Sequence, residues 1–263
     1  MRKLRIFHID AFAGQVFHGN PAAVVPLQQW LKDSQMQSIA AENNLSETAF
    51  FVPQDNGYQL RWFTPTHEVP LCGHATLAAA FVLFTALEPE RKTVKFDTWS
   101  GTLTVNRDGD LVVMNFPKYV PTPCIAPPVL LDGLKTQPRE TLVTETDTNY
   151  YAIYDDEENI RALQPNLQLL EQLDPYGVAV TAPGRIADFA SRYFAPSYGI
   201  PEDPVTGSIH CALVPYWASR LGKSEFHAQQ LSKRGSDLYC KLEQDRVIIS
   251  GYAVKYLEGE ICL

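Results

Sequence analysis

Two long and almost uninterrupted apolar segments, each preceded by a short polar one, constrain the fold of this chain most strongly. The first covers residues 77–87 and follows Leu-Cys-Gly-His-Ala-Thr at 71–76. The second covers residues 209–221 and follows Glu-Asp-Pro-Val-Thr-Gly-Ser at 202–208. A helix that is apolar on nearly every face must be buried on all sides. Each segment therefore predicts a helix that runs through the interior of a domain.

The polar segments place small and polar residues at the amino ends of both predicted helices. Backbone N–H groups are unpaired at a helix amino end, and the helix dipole there favours negative charge. Two such ends that face one another across a cleft would bind a small carboxylate. The sequence therefore predicts a ligand site built from both helix starts.

A proline-rich stretch divides the chain. Residues 117–138 contain six prolines and little periodicity, which predicts halves of 1–118 and 119–263 and leaves open a return of the last strand to the N-terminal half. Strand patterns surround each buried helix, so each half is expected to wrap a sheet around it. Further helices are expected from Ser34 to Asn43, capped by Asp33, and from Ile160 to Leu173. The two halves share no sequence identity strong enough to indicate a repeat.

Composition and motifs exclude several classes of function. The net charge of −8 argues against nucleic acid and anionic membranes as partners, and no stretch approaches the roughly 18 apolar residues of a membrane span. The chain has no GxGxxG, P-loop or GxSxG motif, so neither a nucleotide cofactor nor a hydrolase serine is expected. The N-terminus is not expected to be a signal peptide. Five widely spaced cysteines without a CxxC pair predict free thiols in a reducing cytoplasm.

Glu47 is the candidate proton carrier. A glutamate at the start of a strand is most often a surface carboxylate, but the apolar segment 49–52 follows at once and brings Glu47 close to buried backbone. A carboxyl group that is shielded from water titrates at a higher pH, and it can act first as a base and then as an acid.

The two helix starts supply the remaining candidates. His74 lies in the first helical turn, where the dipole disfavours imidazolium, so a neutral ring is expected, either packed or donating to a substrate. Asp203 is expected to cap the second helix and still to reach a ligand. Cys72 is either a small buried residue or a thiol whose pKa is lowered by the helix end. The spacing of these residues with His67 and Glu68 fits no standard zinc pattern, so no metal is expected.

Several segments, taken in order, resemble the phenazine-biosynthesis PhzF-like isomerase family. The matching stretches are residues 8–12, 17–25, 45–50, 63–65, 68–76, 192–196, 199–208 and 230–235. The resemblance implies a diaminopimelate epimerase-like fold of the mixed α/β class. In that fold two similar halves each curl a mostly antiparallel sheet around a central helix, and the site lies between the halves.

The resemblance also implies a chemistry. It implies a homodimer that moves a proton between carbons of a small carboxylate without a cofactor. In the best-understood members this substrate is a dihydro-hydroxyanthranilate. Glu47, His74 and Asp203 would be the catalytic residues, with Glu47 carrying the proton. The substrate would be bound by four further residues, namely Asn20, Gly73, Gly207 and Ser208.

Two alternatives remain open at this stage. A racemase or epimerase of the same fold that uses two cysteines would match at Cys72, but it needs a second thiol at the start of the second central helix, where residues 203–207 contain none. A relative that binds a ligand without turning it over would keep the same residues. The chain also has Ile-His-Cys at 209–211, where many relatives carry small residues, and this is expected to reshape that helix end.

Overall fold

The structure, a computed structural model, describes residues 2–263 and divides them into two compact units. The first unit comprises the residues up to Asn115 together with Ser250–Leu263, and the second comprises Phe116–Ile249. Within residues 2–263 no helix combines the length and the apolar character needed to cross a bilayer.

The first unit contains one long helix that is buried along its length. Its elements are β1 (Lys3–Ala11), β2 (Asn20–Pro26), α1 (Asp33–Asn43), β3 (Glu47–Gln54), β4 (Gly57–Phe63), β5 (Glu68–Val69), α2 (Gly73–Val82), which continues as a π-helical turn (Leu83–Leu87), β6 (Thr93–Thr98), β7 (Gly101–Asp108) and β8 (Leu111–Pro117). Almost every residue of α2 is buried, as its apolar sequence predicts.

The second unit repeats this plan with shorter flanking helices. Its elements are β9 (Thr122–Pro123), α3 (Pro128–Leu134), β10 (Glu140–Thr144), β11 (Asn149–Ile153), α4 (Glu157–Arg161), α5 (Leu167–Leu170), β12 (Gly177–Pro183), β13 (Phe189–Phe194), α6 (Gly207–Leu221), β14 (Glu225–Gln230), β15 (Ser236–Glu243) and β16 (Arg246–Gly251). The last strand, β17 (Ala253–Cys262), belongs to the first unit. The buried stripe of α6 runs from Gly207 to Trp217.

The strands of the two units pair with the same alternation of directions. In the first unit β1 and β2 are antiparallel, β2 and β3 parallel, β3 and β4 antiparallel, β4 and β6 parallel, and β6 and β7 antiparallel. In the second unit β10 to β15 follow the same sequence of pairings. Each parallel pair needs a crossover, and in both units the long buried helix lies in the second of these crossovers. The predicted mixed α/β class, with two similar halves around central helices, is therefore confirmed.

Two local predictions are wrong. The helix expected from Ile160 to Leu173 is broken into α4 and α5, because Pro165 has no N–H group to donate and disfavours helical geometry in the residue before it. Asp33 does not cap α1 but is its first residue, and its carboxylate accepts a hydrogen bond from Arg61. The cap position is Lys32.

A glycine at the start of β2 fixes the path of the chain into the first unit's sheet. Gly19 has a φ of +65°, and a Cβ atom there would lie 2.1 Å from the carbonyl oxygen of Ala11. Only glycine combines this backbone conformation with so close an approach. Gly19 therefore fixes the position of the next residue, Asn20, which is fully buried.

We expect Gly19→Ala to lower the free energy of unfolding by at least about 2 kcal/mol, because the added methyl group meets both strain and a backbone clash. Urea denaturation followed by circular dichroism measures this loss. Gly14→Ala is the matched control, since a Cβ atom at that residue would have no heavy atom within 4 Å and its φ is not positive. Equal midpoints for the two variants would contradict the prediction.

Candidate active site

The pairing of β2 with β3 brings the first candidate residues together. The two strands are parallel, with Ala22 opposite Glu47, so both amino ends lie at one edge of the sheet. The helix α2 packs on β1, β2 and β3, and its second residue is His74. Asn20, Glu47 and His74, which are far apart in sequence, therefore converge in the first unit.

Glu47 and His74 form a buried pair. Their side chains are 9% and 6% exposed, and His74 Nε2 lies 3.0 Å from Glu47 Oε2. The contact has the distance of an ion pair, and neither of these two atoms makes a hydrogen bond with any of residues 2–263. The sequence prediction that Glu47 lies near buried backbone, rather than on the surface, is confirmed.

The charge of Glu47 changes the expected state of His74. Burial disfavours the imidazolium form, but the negative charge that Cys72 and Glu47 can carry favours it more strongly, so the pKa of His74 lies well above its usual value. The expectation of a neutral ring, made from the helix dipole alone, is therefore wrong. Two acidic neighbours, Cys72 at 3.5 Å and Glu47 at 3.0 Å from the ring nitrogens, outweigh the fractional charge of a helix end.

Cys72 is close to the same ring but is not an activated thiol. Its Sγ atom lies 3.5 Å from His74 Nδ1. Burial, together with the charge of Glu47, raises the pKa of Cys72 to about 11. Of the two interpretations that the sequence left open, the small buried residue is therefore supported, and the thiol activated by the helix end is not.

Glu47, Cys72 and His74 each offer one ligand atom, and these atoms lie within 4.8 Å of one another. Glu47 and Cys72, however, approach opposite ring nitrogens of His74. This arrangement suits a chain of proton donors and acceptors better than convergence on a single metal ion.

Asn20 lies behind His74 as seen from Glu47. Its amide nitrogen is 3.2 Å from His74 Nδ1, and its amide oxygen accepts a hydrogen bond of 3.2 Å from the hydroxyl of Ser46. Sequence reasoning gave Ser46 no role, although its position directly before Glu47 was a usable signal.

In the second unit, a buried network shapes the start of α6. The hydroxyl of Thr206 donates to Asp203 at 2.5 Å, and the amide of Gln230 accepts from Thr206 N and donates to Asp203 O. Thr206, and not Asp203, occupies the cap position, so the predicted capping by Asp203 is wrong. Gln230 was missed by the sequence analysis, although it is a polar residue in the inward alternation of β14 that begins with Phe226 and Ala228.

The remaining predicted residues of this helix differ in exposure. Gly207 is buried and Ser208 is exposed. His210 and Cys211 are buried in the interior of the unit, where His210 Nδ1 donates a hydrogen bond to Thr206 O and the ring lies 5.9 Å from the ring of Phe189. The unusual residues at 209–211 therefore alter the core packing of α6.

A model of the family described as phenazine biosynthesis-like protein matches residues 9–259. The chain belongs to this family. An uncharacterized isomerase of Pseudomonas aeruginosa is 50% identical, over 99% of this chain and 100% of its own. A crystal structure of a PhzF family protein from Enterococcus faecalis is 42% identical over the whole of both chains, with a TM-score of 0.96.

More distant structures share the fold alone. A hydroxyproline epimerase from Agrobacterium vitis, solved with bound trans-4-hydroxy-L-proline, is 11% identical with a TM-score of 0.63 and covers 99% of this chain and 92% of its own. The epimerase-like fold implied by the sequence resemblance is therefore confirmed.

The buried ring of His210 makes stability depend on pH. Burial lowers the pKa of His210 to about 4, whereas the unfolded chain binds a proton near 6.5. Between these values the unfolded state holds more protons, so the free energy of unfolding falls as the pH falls. We expect His210→Phe to remove about 2 kcal/mol of the wild-type loss between pH 7 and pH 5.

Urea denaturation at both pH values tests this expectation, with the exposed His67 as the control. His67→Gln should leave the pH dependence of the wild type unchanged. An unaltered slope in His210→Phe would show that the ring does not titrate as its burial requires.

Proposed function

We propose that the chain is a cofactor-independent isomerase that moves a proton between carbons of a small carboxylate substrate, with Glu47 as general base and then general acid. The buried contact between Glu47 and His74 carries this proposal. A carboxylate in a site shielded from water, beside a group able to share its proton, is suited to abstract a proton from carbon and to return it elsewhere.

The repeated topology supports a mechanism with a single proton carrier. In the first unit Thr48 of β3 pairs with Phe63 of β4, and in the second unit Val178 of β12 pairs with Phe194 of β13. Each phenylalanine is followed two residues later by a proline. The residue before Val178 is Gly177, so the second unit has a glycine at the position equivalent to Glu47.

The space that a side chain at Gly177 would need is already filled. A Cβ atom there would lie 2.1 Å from the hydroxyl of Tyr193 and 2.6 Å from the amide oxygen of Asn149. Tyr193 itself donates to Asn149 at 2.9 Å. The second unit therefore has no carboxylate at the equivalent place, and its packing leaves no room for one.

The central helices are equally asymmetric, which disfavours a two-cysteine racemase. Both helices begin with a glycine, so Cys72 in the first unit corresponds to Thr206 in the second, and His74 corresponds to Ser208. The first cysteine after Thr206, Cys211, is buried within α6, and burial raises its pKa to about 12. Together with the raised pKa of Cys72, this leaves Glu47 as the better base.

Further parts of the proposal follow from the family resemblance. Asp203, Gly73, Gly207 and Ser208 are proposed to bind polar groups of the substrate, and the dihydro-hydroxyanthranilate class is the first to test. A homodimer in the cytoplasm belongs to the same proposal, and the cytoplasmic location is supported by five free thiols.

We expect Glu47→Gln to abolish proton transfer at carbon while ligand binding survives, since the amide keeps the shape of the carboxylate but cannot titrate. The protein would be incubated in D2O with a panel of small cyclic amino and hydroxy carboxylates, and deuterium followed by NMR and mass spectrometry. The rate should fall by about 10²- to 10⁴-fold.

Glu42→Gln is the matched control, because Glu42 is exposed on α1 of the same unit. It should exchange deuterium at the wild-type rate. Turnover by Glu47→Gln at that same rate would exclude Glu47 as the base, and binding without exchange in the wild type would favour a binding protein.

Cys72→Ala separates the proposal from cysteine-dependent racemisation. Because the thiol is protonated at neutral pH, its loss should change the exchange rate by less than about tenfold. A thiol base would instead lose several orders of magnitude, and a loss of that size in the same deuterium assay would favour the racemase.

A further inference from the structure

The residues that lead into the two central helices repeat between the units. The strand register makes Phe194 the equivalent of Phe63, and each central helix begins with a glycine. Around the phenylalanines both units read Arg-X-Phe-X-Pro, at residues 61–65 and 192–196. Before the helices both read Glu-X-Pro-X-X-Gly, at residues 68–73 and 202–207. Each unit therefore has an arginine and a glutamate at equivalent positions.

The arginine and the glutamate are joined in the same way in both units. Arg61 donates from Nε and Nη2 to the two carboxylate oxygens of Glu68, each at 2.6 Å. Arg192 donates from Nε and Nη2 to those of Glu202, at 2.7 and 3.1 Å. A two-pronged bond of this kind fixes the direction of the carboxylate as well as its position.

The remaining guanidinium nitrogen, Nη1, reaches the first helical crossover of the same unit. Arg61 donates to Asp33 at the start of α1, at 2.9 Å. Arg192 donates to the carbonyl oxygens of Ile160 and Leu163, at the end of α4 and just after it, each at 2.9 Å. The two arginine side chains are only 16% and 10% exposed. In each unit one shielded guanidinium thus joins a strand, a crossover and the segment that leads into the central helix.

These leading segments, residues 68–72 and 202–206, are called the entry segments below. The first is paired with β4 only through the two-residue strand β5. In the second, the equivalent backbone bond runs from Asp203 N to Tyr193 O, at 3.0 Å. Each segment also contains a proline, which has no N–H group to donate. The arginine–glutamate pair is therefore a main anchor of each entry segment.

We propose that Arg61 and Arg192 are positioning residues, which act through Glu68 and Glu202 to hold the starts of the two central helices in place. Residues of the candidate site lie within or directly after both entry segments, so a displaced segment would displace them. The effect of the two pairs on turnover rests on the proposed function, but their effect on the helix starts does not.

In the first unit the titration of His74 reports the position of the helix start. The acidic groups that act on this ring are Glu47 on β3, at 3.0 Å, and Cys72 at the end of the entry segment. Protein labelled with ¹⁵N-histidine would be followed by long-range ¹H–¹⁵N NMR across pH, with the His74 signals assigned from His74→Gln. We expect Arg61→Gln and Glu68→Gln each to lower the pKa of His74 by about half a unit or more, since the ring moves away from Glu47.

The direction of the two shifts separates position from charge. Loss of a distant positive charge raises the pKa of an imidazole, and loss of a negative one lowers it, so charge alone would shift the two variants in opposite directions. The double variant should match either single one, because the two residues act as a unit. Arg5→Gln is the matched control, since Arg5 bonds to Glu258 at 2.7 Å on the exposed face of β1 in the same unit. It should leave the titration unchanged.

In the second unit, amide hydrogen exchange reports the entry segment. We expect Arg192→Gln and Glu202→Gln to speed exchange at the amide of Asp203 by about tenfold or more, while the amides of β12 keep the wild-type rate. Arg139→Gln is the control, because its bond to Asp155 is exposed and lies outside the entry segment. Glu202→Gln keeps this test decisive if a variant of buried Arg192 fails to fold.

The outcomes distinguish this inference from the proposed function. A lower pKa of His74 in both first-unit variants, with faster exchange confined to the second entry segment, supports the inference even if no compound in the deuterium panel is turned over. Opposite shifts of the His74 pKa, or a wild-type titration with a lower urea midpoint, would show that the first pair only contributes charge or stability. Either result overturns the inference even if Glu47 proves to be the base, as does faster exchange spread evenly over the second unit.

Discussion

The contact between Glu47 and His74 is the interaction on which the proposed chemistry depends, and it is costly to form. Removing a carboxylate and an imidazole from water disfavours both charged forms, and their mutual attraction offsets this only when the geometry is held firmly. That geometry is held by a parallel strand pair and a helix that is buried along its length. The first unit thereby holds His74 Nε2 at 3.0 Å from Glu47 Oε2, and both side chains are shielded from water.

The surroundings of this pair determine which residue can act as a base. Burial raises the pKa of the Cys72 thiol, whereas for His74 the acidic neighbours outweigh the effect of burial. The thiol beside the ring of His74 is therefore a weak candidate for a base. The local dielectric, more than the identity of the motif, separates the isomerase hypothesis from the racemase hypothesis.

Sequence reasoning predicted the elements that have strong periodicity. The central helices and the mixed α/β class followed from apolar spacing and from the strand patterns around each helix. The break at Pro165 was missed because the apolar spacing continues on both sides of it. The helix α3 (Pro128–Leu134) was missed because it lies within the proline-rich stretch, where apolar residues show little periodicity. The strand β10 (Glu140–Thr144), which begins directly after that stretch, was missed as well.

The site could be predicted only in part. Glu47 and His74 were identified singly, but their 3.0 Å contact joins residues 27 positions apart in sequence, and no local pattern contains it. The charge of His74 was therefore predicted from the helix dipole alone, and this prediction was wrong, whereas for Cys72 the sequence left two interpretations open. Gln230 and Ser46 act only through other side chains, and a sequence does not display such partnerships.

The filled space beside Gly177 has a consequence for how this protein can diverge. A chain with two like-built halves would be expected to regain a second acid or base by one substitution in the half that lacks it. Here a new side chain at position 177 would meet the hydroxyl of Tyr193 and the amide oxygen of Asn149, so these two buried side chains would have to move or change with it. The packing of the second unit therefore opposes the gain of a second acid or base by one substitution.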